Sequence, residues 1–258
     1  MTLQPSMLMW WESWGAEPWM DLAREETLLA AAESGHPALC TYGWDAPTLV
    51  LGYGQAAASV DLAACARLRV AVVRRLSGGT GVLHRGDLAA SLALPAFHPW
   101  ARRIDGLYDH FVEAVRAALA QLGVTAERWK PAGGVFSGRS PICFEDHRAE
   151  SLLVHSKKVL GCAQARRQRA VLVHGTLLFH LDPRLQAEVY GVSETRIRDA
   201  MAPIPDQAGL SPVPFAAVLA RTMAAALALP PPHAVAPPPL SAELAARARD
   251  PKWVPLKL

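Results

Sequence analysis

The sequence predicts an α+β fold in which mixed β-sheets are flanked by helices. Two observations lead to this prediction. Short runs with strand character and longer runs with apolar residues at helical spacing follow each other without the regular βαβ rhythm of a doubly wound fold. With 258 residues, of which 51% are hydrophobic, the chain is also long enough to bury a sizeable core in one large domain.

In the first half of the chain, polar residues mark the starts of the predicted helices. Asp21 is predicted to cap a helix that runs to residue 34, since apolar residues recur at helical spacing and Gly35 ends the pattern. Asp61 is predicted to cap a short helix that ends at residue 68. The apolar runs around these helices predict strands at 38–42, 48–53 and 70–74.

The second half begins with a predicted strand at 89–94 and a long helix. The helix is predicted from an apolar stripe between Leu107 and Leu122, interpreted as core, and it ends at Gly123. After an irregular stretch at 130–141, strands are predicted at 151–154, 158–163 and 170–178. Helices are then predicted after Asp182 and after Ser211. We therefore predict one domain over residues 1–229 and a proline-rich strap over residues 230–258.

Composition and charge exclude several functional classes. The formal net charge of +3 is too small to indicate a nucleic-acid partner. No segment resembles a secretion signal or a membrane span, so we expect a cytoplasmic protein that acts away from membranes. The four cysteines form no C-x-x-C pair, and the histidines form no H-x-x-x-H or H-E-x-x-H pair, so no metal site is expected.

A glycine-rich loop follows the predicted strand at 70–74. The run 77–81, Ser-Gly-Gly-Thr-Gly, has a backbone that a ligand can approach closely, although a simple tight turn has the same composition. Arg74 and Arg75 precede the loop, and His84 and Asp87 follow it. Because side chains alternate along a strand, only one of the two arginines is expected to point toward the loop's concave side.

Three further side chains are candidates for chemistry. Lys158 begins an apolar strand and is directed either to its edge or into a pocket. His174 lies in a buried-strand context that favours a hydrogen-bonded core histidine over a catalyst. Cys143 lies in a polar loop where a thiolate is accessible, whereas a buried packing role is the alternative. The remaining cysteines, assigned to packing, are Cys40, Cys65 and Cys162.

Five segments, in this order, match motifs of one superfamily. They are Leu22-Ala23-Arg24-Glu25-Glu26, the run 47–55 (PTLVLGYGQ), Arg74-Arg75-Leu76-Ser77-Gly78-Gly79 through His84, the run 158–164 (KVLGCAQ) and the run 174–178 (HGTLL). They resemble the lipoate-protein ligase A, octanoyltransferase and biotin ligase superfamily. The resemblance covers residues 8 to 200 and implies a biotin/lipoate protein ligase-like catalytic domain.

Within that superfamily, Cys143-Phe144-Glu145, fifteen residues before Lys158, resembles the cysteine-dependent octanoyltransferases. The resemblance implies that Cys143 takes an octanoyl or lipoyl group as a thioester and that Lys158 orients the acyl carbonyl. It implies a donor that is an acyl carrier protein or a lipoyl domain, an acceptor lysine on a lipoyl domain such as glycine cleavage H protein, and no cofactor. The residues it implies for substrate binding are Arg74, Arg75, Ser77, Gly78, Gly79, His84, Gly161, Ala163, Gln164, His174 and Gly175.

Two alternatives remain open at this point. The first is a lipoate-protein ligase that uses ATP and Mg²⁺ to make an acyl-adenylate. The second is a non-catalytic binder of carrier proteins on the same fold. The second alternative is motivated by a departure from the pattern, since residues 146–151 (DHRAES) replace the P-S-x-Y-E-(L/V) stretch that the cysteine enzymes usually have.

Overall fold

The computed structural model describes residues 7–130, 140–205 and 210–248. The strands are β1 (Met9–Trp14), β2 (Ala38–Gly43), β3 (Thr48–Leu51), β4 (Ala71–Arg74), β5 (Val82–His84), β6 (Leu88–Pro95), β7 (Glu127–Arg128), β8 (Leu152–Val154), β9 (Lys157–Arg166), β10 (Ala170–Leu177) and β11 (Ala234–Val235). The helices are α1 (Pro18–Glu33), α2 (Leu62–Arg67), α3 (Ile104–Gln121), α4 (Pro183–Tyr190), α5 (Glu194–Ala200), α6 (Pro212–Ala226) and α7 (Ala242–Ala248).

The strands form two sheets. The larger has eight strands in the order β11-β1-β2-β6-β10-β9-β8-β7, and the smaller has three in the order β4-β3-β5. Parallel pairs, such as β1 with β2, and antiparallel pairs, such as β6 with β10, occur in the same sheet. The predicted α+β class with mixed sheets is therefore confirmed.

Helices cover both faces of the large sheet. One face packs against the apolar stripes of α3 and α6, with Phe111 and Phe215 fully buried between them. The opposite face packs against α1, and α7 contacts α1 from outside. The small sheet has its own core, which α2, α4 and α5 close. Burying a side chain such as phenylalanine contributes about 1.5–3 kcal/mol, so these three clusters hold the two sheets in place.

Two of the predicted helix starts agree with the structure, and a third does not. Asp61 and Asp182 occupy N-cap positions, as predicted, and their carboxylates accept hydrogen bonds from Ala64 N at 2.8 Å and Leu185 N at 3.0 Å. The prediction for Asp21 is wrong, because α1 already begins at Pro18. The Asp21 carboxylate is buried inside the fold, where Ser13, Arg24 and Trp44 donate hydrogen bonds to it.

Four strands, β1, β5, β7 and β11, were not predicted, since each is too short or too aromatic to show a clear period. The irregular stretch predicted at 130–141 lies mostly outside the described residues. The C-terminal strap is described as far as Ala248: β11 pairs in parallel with β1, and α7 packs on α1. In the described ranges, no helix is long and apolar enough to cross a membrane.

Candidate active site

A cavity of about 140 Å³ opens at the edge of β9, beyond the end of its pairing with β8. The glycine-rich loop, the segment before β8, β9 itself and α3 all contribute to it. The lining residues are Arg75, Gly78, Gly79, Thr80, Tyr108, Cys143, Asp146, Arg148, Glu150, Ser151, Lys158, Cys162, Ala163 and Gln164. The two segments that the sequence analysis paired, around Cys143 and around residues 74–84, thus meet in space.

Arg75 holds the glycine-rich loop in shape. Its guanidinium is buried and donates hydrogen bonds to the carbonyl oxygens of Gly78 at 2.7 Å and Thr80 at 3.0 Å. Arg74 points away from the cavity and donates to the carbonyl oxygen of Gly52 at 2.5 Å. The prediction that only one of the two arginines faces the loop is confirmed, and it is Arg75.

Glycine is required where the loop passes β3. Gly79 has a φ of +91°, which L side chains rarely adopt. A Cβ on Gly52 would lie 2.0 Å from the carbonyl oxygen of Gly79, so the two backbones approach more closely than any side chain permits. This close packing presents the backbone of Gly78 and Gly79 to the cavity.

Cys143 is fixed beside the same loop by backbone hydrogen bonds. Its N–H donates to the carbonyl oxygen of Gly81 at 3.0 Å, and Gly81 N–H donates to the carbonyl oxygen of Pro141 at 3.1 Å. The following Phe144 is buried, and Glu145 is bound by Arg196 of α5 at 2.5 and 2.9 Å. Cys143 is half-buried: it packs against the core of the small sheet and also lines the cavity.

Lys158 is directed into the cavity. Although only 3% of the residue is exposed, its ammonium donates to the carbonyl oxygens of Cys143 at 2.9 Å and Asp146 at 2.7 Å. The ammonium also lies 5.3 Å from the centre of the Phe144 ring. An ammonium has three N–H donors, so one remains available for a ligand in the cavity.

Gly161 lies beside the thiol of Cys143. A Cβ at this position would lie 3.4 Å from both Cys143 Sγ and Lys158 Cε. On the same strand, Val159 O accepts from Leu178 N, and Arg167 N donates to Ala170 O. Because alternate residues of a strand bond the same neighbour, the N–H groups of Cys162 and Gln164 point away from β10, toward the open edge of β9. The cavity therefore combines a thiol, an ammonium and two backbone donors.

Six of the predicted substrate-binding residues are not among those that line the cavity. Arg74 binds backbone carbonyl groups, Ser77 of the loop and His84 of β5 are buried, Gly161 lies on β9, and His174 and Gly175 lie on β10. Contact of these six residues with a substrate stays a prediction. The other predicted residues line the cavity, and Gly161 lies beside the Cys143 thiol.

His174 belongs to a buried network under α1. Its Nδ1 lies 2.7 Å from Glu25 Oε1, and Ser91 and Tyr42 hydroxyls also bond the same carboxylate oxygen, at 2.7 and 3.2 Å. Burial raises the pKa of Glu25, but the charge on His174 and the three hydrogen bonds outweigh it, so the pKa lies below its ordinary value. The interpretation of His174 as a hydrogen-bonded core histidine fits this geometry.

Several lining residues were not identified from the sequence. Cys162 was assigned to packing, but it both packs beside Gly175 and lines the cavity. Tyr108 lies next to Leu107 in the predicted long helix, and no motif or polar cluster of the sequence marks it. Asp146 and Glu150 fall in the segment that departs from the superfamily pattern. That departure is the only feature of the sequence that drew attention to them.

Comparison with known proteins identifies the family of this chain. The profile of the family described as lipoyl protein ligase A/B catalytic domain matches residues 17–221. An octanoyltransferase LipM of Geobacillus kaustophilus (strain HTA426) is 30% identical over 193 residues, which are 71% of this chain and 69% of that protein. An octanoyltransferase LipM of Carboxydothermus hydrogenoformans (strain ATCC BAA-161 / DSM 6008 / Z-2901) is 37% identical over 175 residues, 65% of this chain and 62% of that protein.

Solved structures share the fold. A crystal structure of lipoate-protein ligase A bound with ATP superposes with a TM-score of 0.74 at 24% identity, covering 96% of this chain and 94% of that one. The putative lipoate protein ligase Ta0514 from T. acidophilum with bound lipoic acid gives 0.73 at 23% identity, with the same coverage. These structures confirm the predicted biotin/lipoate protein ligase-like fold. Because the family profile spans most of the chain, the protein belongs to the lipoyl protein ligase A/B catalytic domain family.

Proposed function

We propose that the protein transfers an octanoyl or lipoyl group to a lysine of a lipoyl domain through a thioester on Cys143. The prediction of an octanoyltransferase, and hence of an acyltransferase, is confirmed by the relatives of that name. The observation that carries the residue assignment is the placement of Cys143 and Lys158 in one cavity, joined by a hydrogen bond of 2.9 Å from Lys158 Nζ to the Cys143 carbonyl oxygen.

In the first step, the Cys143 thiolate attacks the thioester carbonyl of the donor. The donor's thiol leaves, and the acyl group becomes attached to Sγ. The negative charge that develops on the carbonyl oxygen requires donors placed in advance, which typically contribute about 10²–10³ in rate for each donor. The third N–H of Lys158 and the backbone N–H groups of Cys162 and Gln164 supply such donors, and the glycine-rich loop admits the acyl-carrying group.

In the second step, the acceptor lysine attacks the enzyme thioester, and the Cys143 thiol is released. Exchange between two thioesters is nearly balanced in energy, and the final amide is lower, so this route uses no ATP, metal or other cofactor. We propose an acyl carrier protein or a lipoyl domain as donor and a lipoyl-domain protein such as glycine cleavage H protein as acceptor. One structural neighbour is a bi-partite lipoate protein ligase from Thermoplasma acidophilum, studied together with its E2 lipoyl domain.

Intact-mass spectrometry tests the thioester directly. The purified protein is incubated with octanoyl carrier protein, and we expect one octanoyl adduct on the wild type. Cys143→Ala is expected to lose the adduct, while Cys162→Ala, which removes the other thiol of the cavity, is expected to keep it. An adduct that survives Cys143→Ala would exclude the proposal.

The same samples distinguish the ligase alternative. A lipoate-protein ligase forms AMP from ATP and Mg²⁺ in the presence of lipoate, and this activity does not require the Cys143 thiol. We expect no lipoate-dependent AMP from the wild type. AMP formation retained in Cys143→Ser would show an acyl-adenylate route instead, and tight carrier binding with neither adduct nor AMP would show a non-catalytic binder.

A further inference from the structure

The carboxylate of Glu150 differs from the other carboxylates near Cys143. Arg196 binds Glu145 with two hydrogen bonds, at 2.5 and 2.9 Å, and Asp146 accepts one from Ser140 N at 3.3 Å. Glu150 lines the cavity and is half-buried. Within residues 7–130, 140–205 and 210–248, its carboxylate has neither a hydrogen-bond partner nor an ion-pair partner.

Glu150 is close enough to act electrostatically on neighbouring cavity groups. Burial, and then the negative charge of Glu150, raise the pKa of the Cys162 thiol. The pKa of the Tyr108 hydroxyl is raised by burial, by Cys162 and by Glu150. A half-buried carboxylate without a partner is costly, and a cation that enters the cavity would relieve that cost.

The proposed reaction brings one cation to this cavity. An ordinary lysine amine has a pKa of about 10.4, so the acceptor arrives as an ammonium at neutral pH. An ammonium has no lone pair and cannot attack a thioester until it loses a proton. Lys158 cannot accept that proton, since its ammonium is held by the carbonyl oxygens of Cys143 and Asp146. The second step therefore needs a negative acceptor near Cys143.

We propose that Glu150 binds the ammonium of the acceptor lysine and serves as the proton acceptor of the second step. This inference rests on the proposed function. Glu150 first takes one proton from the bound ammonium and passes it to solvent, which leaves a neutral amine. As the amine nitrogen attacks the acyl carbon and the new C–N bond forms, a second proton passes from nitrogen to the Glu150 carboxylate. The C–S bond to Cys143 then breaks, and this proton passes from Glu150 to Sγ. The products are the amide, the free thiol and one proton released to solvent.

A single-turnover comparison of Glu150→Gln with Glu127→Gln tests the proposal. Glu127 is exposed on β7 and lies outside the cavity lining, so it is the matched control. Each protein is first loaded from octanoyl carrier protein, and intact mass reports the rate. The loaded protein is then mixed with Nα-acetyl-lysine amide or with hydroxylamine, which is a neutral nucleophile at neutral pH.

We expect Glu150→Gln to reach the same final extent of octanoyl loading as the wild type and, once loaded, to lose about 100-fold in the single-turnover rate of transfer to the lysine amide, a typical contribution of general base catalysis. Transfer to hydroxylamine is expected to be unchanged, as are all rates of Glu127→Gln. Equal losses with both nucleophiles would show a merely structural role, and an unchanged lysine rate would also overturn the inference. Failure of the wild type to load would instead reject the thioester itself, and the inference with it.

Discussion

Two polar regions of this protein lie on the neighbouring strands β10 and β9 and differ in how their polar groups are hydrogen-bonded. In the Glu25 network, the carboxylate oxygen Oε1 receives hydrogen bonds from Tyr42, Ser91 and His174, and all four residues are buried. His174 is paired in register with Ala163, which lines the cavity on the neighbouring strand. In the cavity, by contrast, polar groups face open space.

The difference separates support from chemistry. A polar group that is already bound by its neighbours is costly to disturb, and it offers nothing to a ligand. A polar group that faces a cavity has capacity left for a substrate. We therefore expect substitutions in the Glu25 network to change mainly the free energy of unfolding, and substitutions in the cavity to change mainly the rate of acyl transfer.

The largest expected effect comes from Glu25→Ala. Removing the carboxylate leaves the buried His174, Tyr42 and Ser91 without their shared acceptor, and we expect a loss of about 3–5 kcal/mol in the free energy of unfolding. Urea unfolding measures this loss. The rate of octanoyl loading per folded molecule is expected to stay within about twofold of the wild-type rate, because substitutions at sites that share no contacts act independently.

Glu26→Ala, in the next position of α1, is the control for that experiment. Glu26 pairs with the more exposed side chains of Arg167 and Arg247. Such pairs contribute about 1 kcal/mol or less. Similar losses for Glu25→Ala and Glu26→Ala would contradict the structural role given to the network.

Among these substitutions, Lys158→Met is expected to reduce the rate of acyl transfer most. The substitution keeps an apolar stem of similar length but removes the donor to the carbonyl oxygens of Cys143 and Asp146. We expect octanoyl loading to slow by about 10²–10³, the usual effect of losing one oxyanion donor. Lys157→Met is the control, since Lys157 donates to the Asp199 carbonyl oxygen on the outside of the fold, and its loading rate is expected to be unchanged.

That result would be contradicted by equal losses in the two lysine variants. It would also be contradicted if Lys158→Met lost no more activity than expected from its fraction of unfolded protein in urea titrations. Either outcome would show that Lys158 supports the fold and does not take part in acyl transfer.

Two glycines on facing strands sharpen the comparison further. A Cβ on Gly175 would lie 2.6 Å from Phe111 Cε1 in the core, whereas a Cβ on Gly161 would lie 3.4 Å from Cys143 Sγ. We expect Gly175→Ala to destabilise the fold by about 1–3 kcal/mol through overpacking. Gly161→Ala is expected to fold normally and to slow octanoyl loading by about tenfold, because the added methyl group would occupy space beside the Cys143 thiol where the acyl group must be positioned. Urea unfolding and loading rates are measured on both, and the reverse pattern would contradict the assignment.

The sequence predicted much of this arrangement because its signals are local. Asp61 and Asp182 mark helix starts through their own side chains, and the motif around Lys158 fixes a strand and its lysine together. Asp21 was mispredicted because its partners, Ser13 and Trp44, come from distant segments. Local spacing cannot show that a carboxylate will be buried by residues elsewhere in the chain.

The site residues divide in the same way. Motif membership predicts contact with substrate for His174 and His84, but a motif does not state how deeply a side chain is buried. Both histidines are buried and neither lines the cavity, so their contact with substrate stays a prediction. Glu150 and Cys162 reach the cavity only because β8 ends early and leaves the edge of β9 open, which no spacing in the sequence reveals.

His84 gives the smallest expected effect and tests whether it belongs with the supporting residues. Its ring is buried against Trp44, with 5.1 Å between ring centres. Burial, and then the charges of His174 and Arg75, hold the pKa of His84 well below its ordinary value of 6.5. The folded protein therefore keeps this imidazole neutral at a pH where the unfolded chain already binds a proton, so stability is present above pH 6.5 and is lost as the pH falls below it.

His84→Phe keeps an aromatic ring beside Trp44 and removes the titration. Between pH 6.5, the ordinary pKa of histidine, and one unit lower, we expect the wild type to lose about 1 kcal/mol more than the variant in urea unfolding. Octanoyl loading at neutral pH is expected to be similar in both proteins, since His84 does not line the cavity. Parallel curves of unfolding free energy against pH would show that the fold does not keep His84 neutral. A loss of octanoyl loading without a loss of stability would show that His84 takes part in acyl transfer.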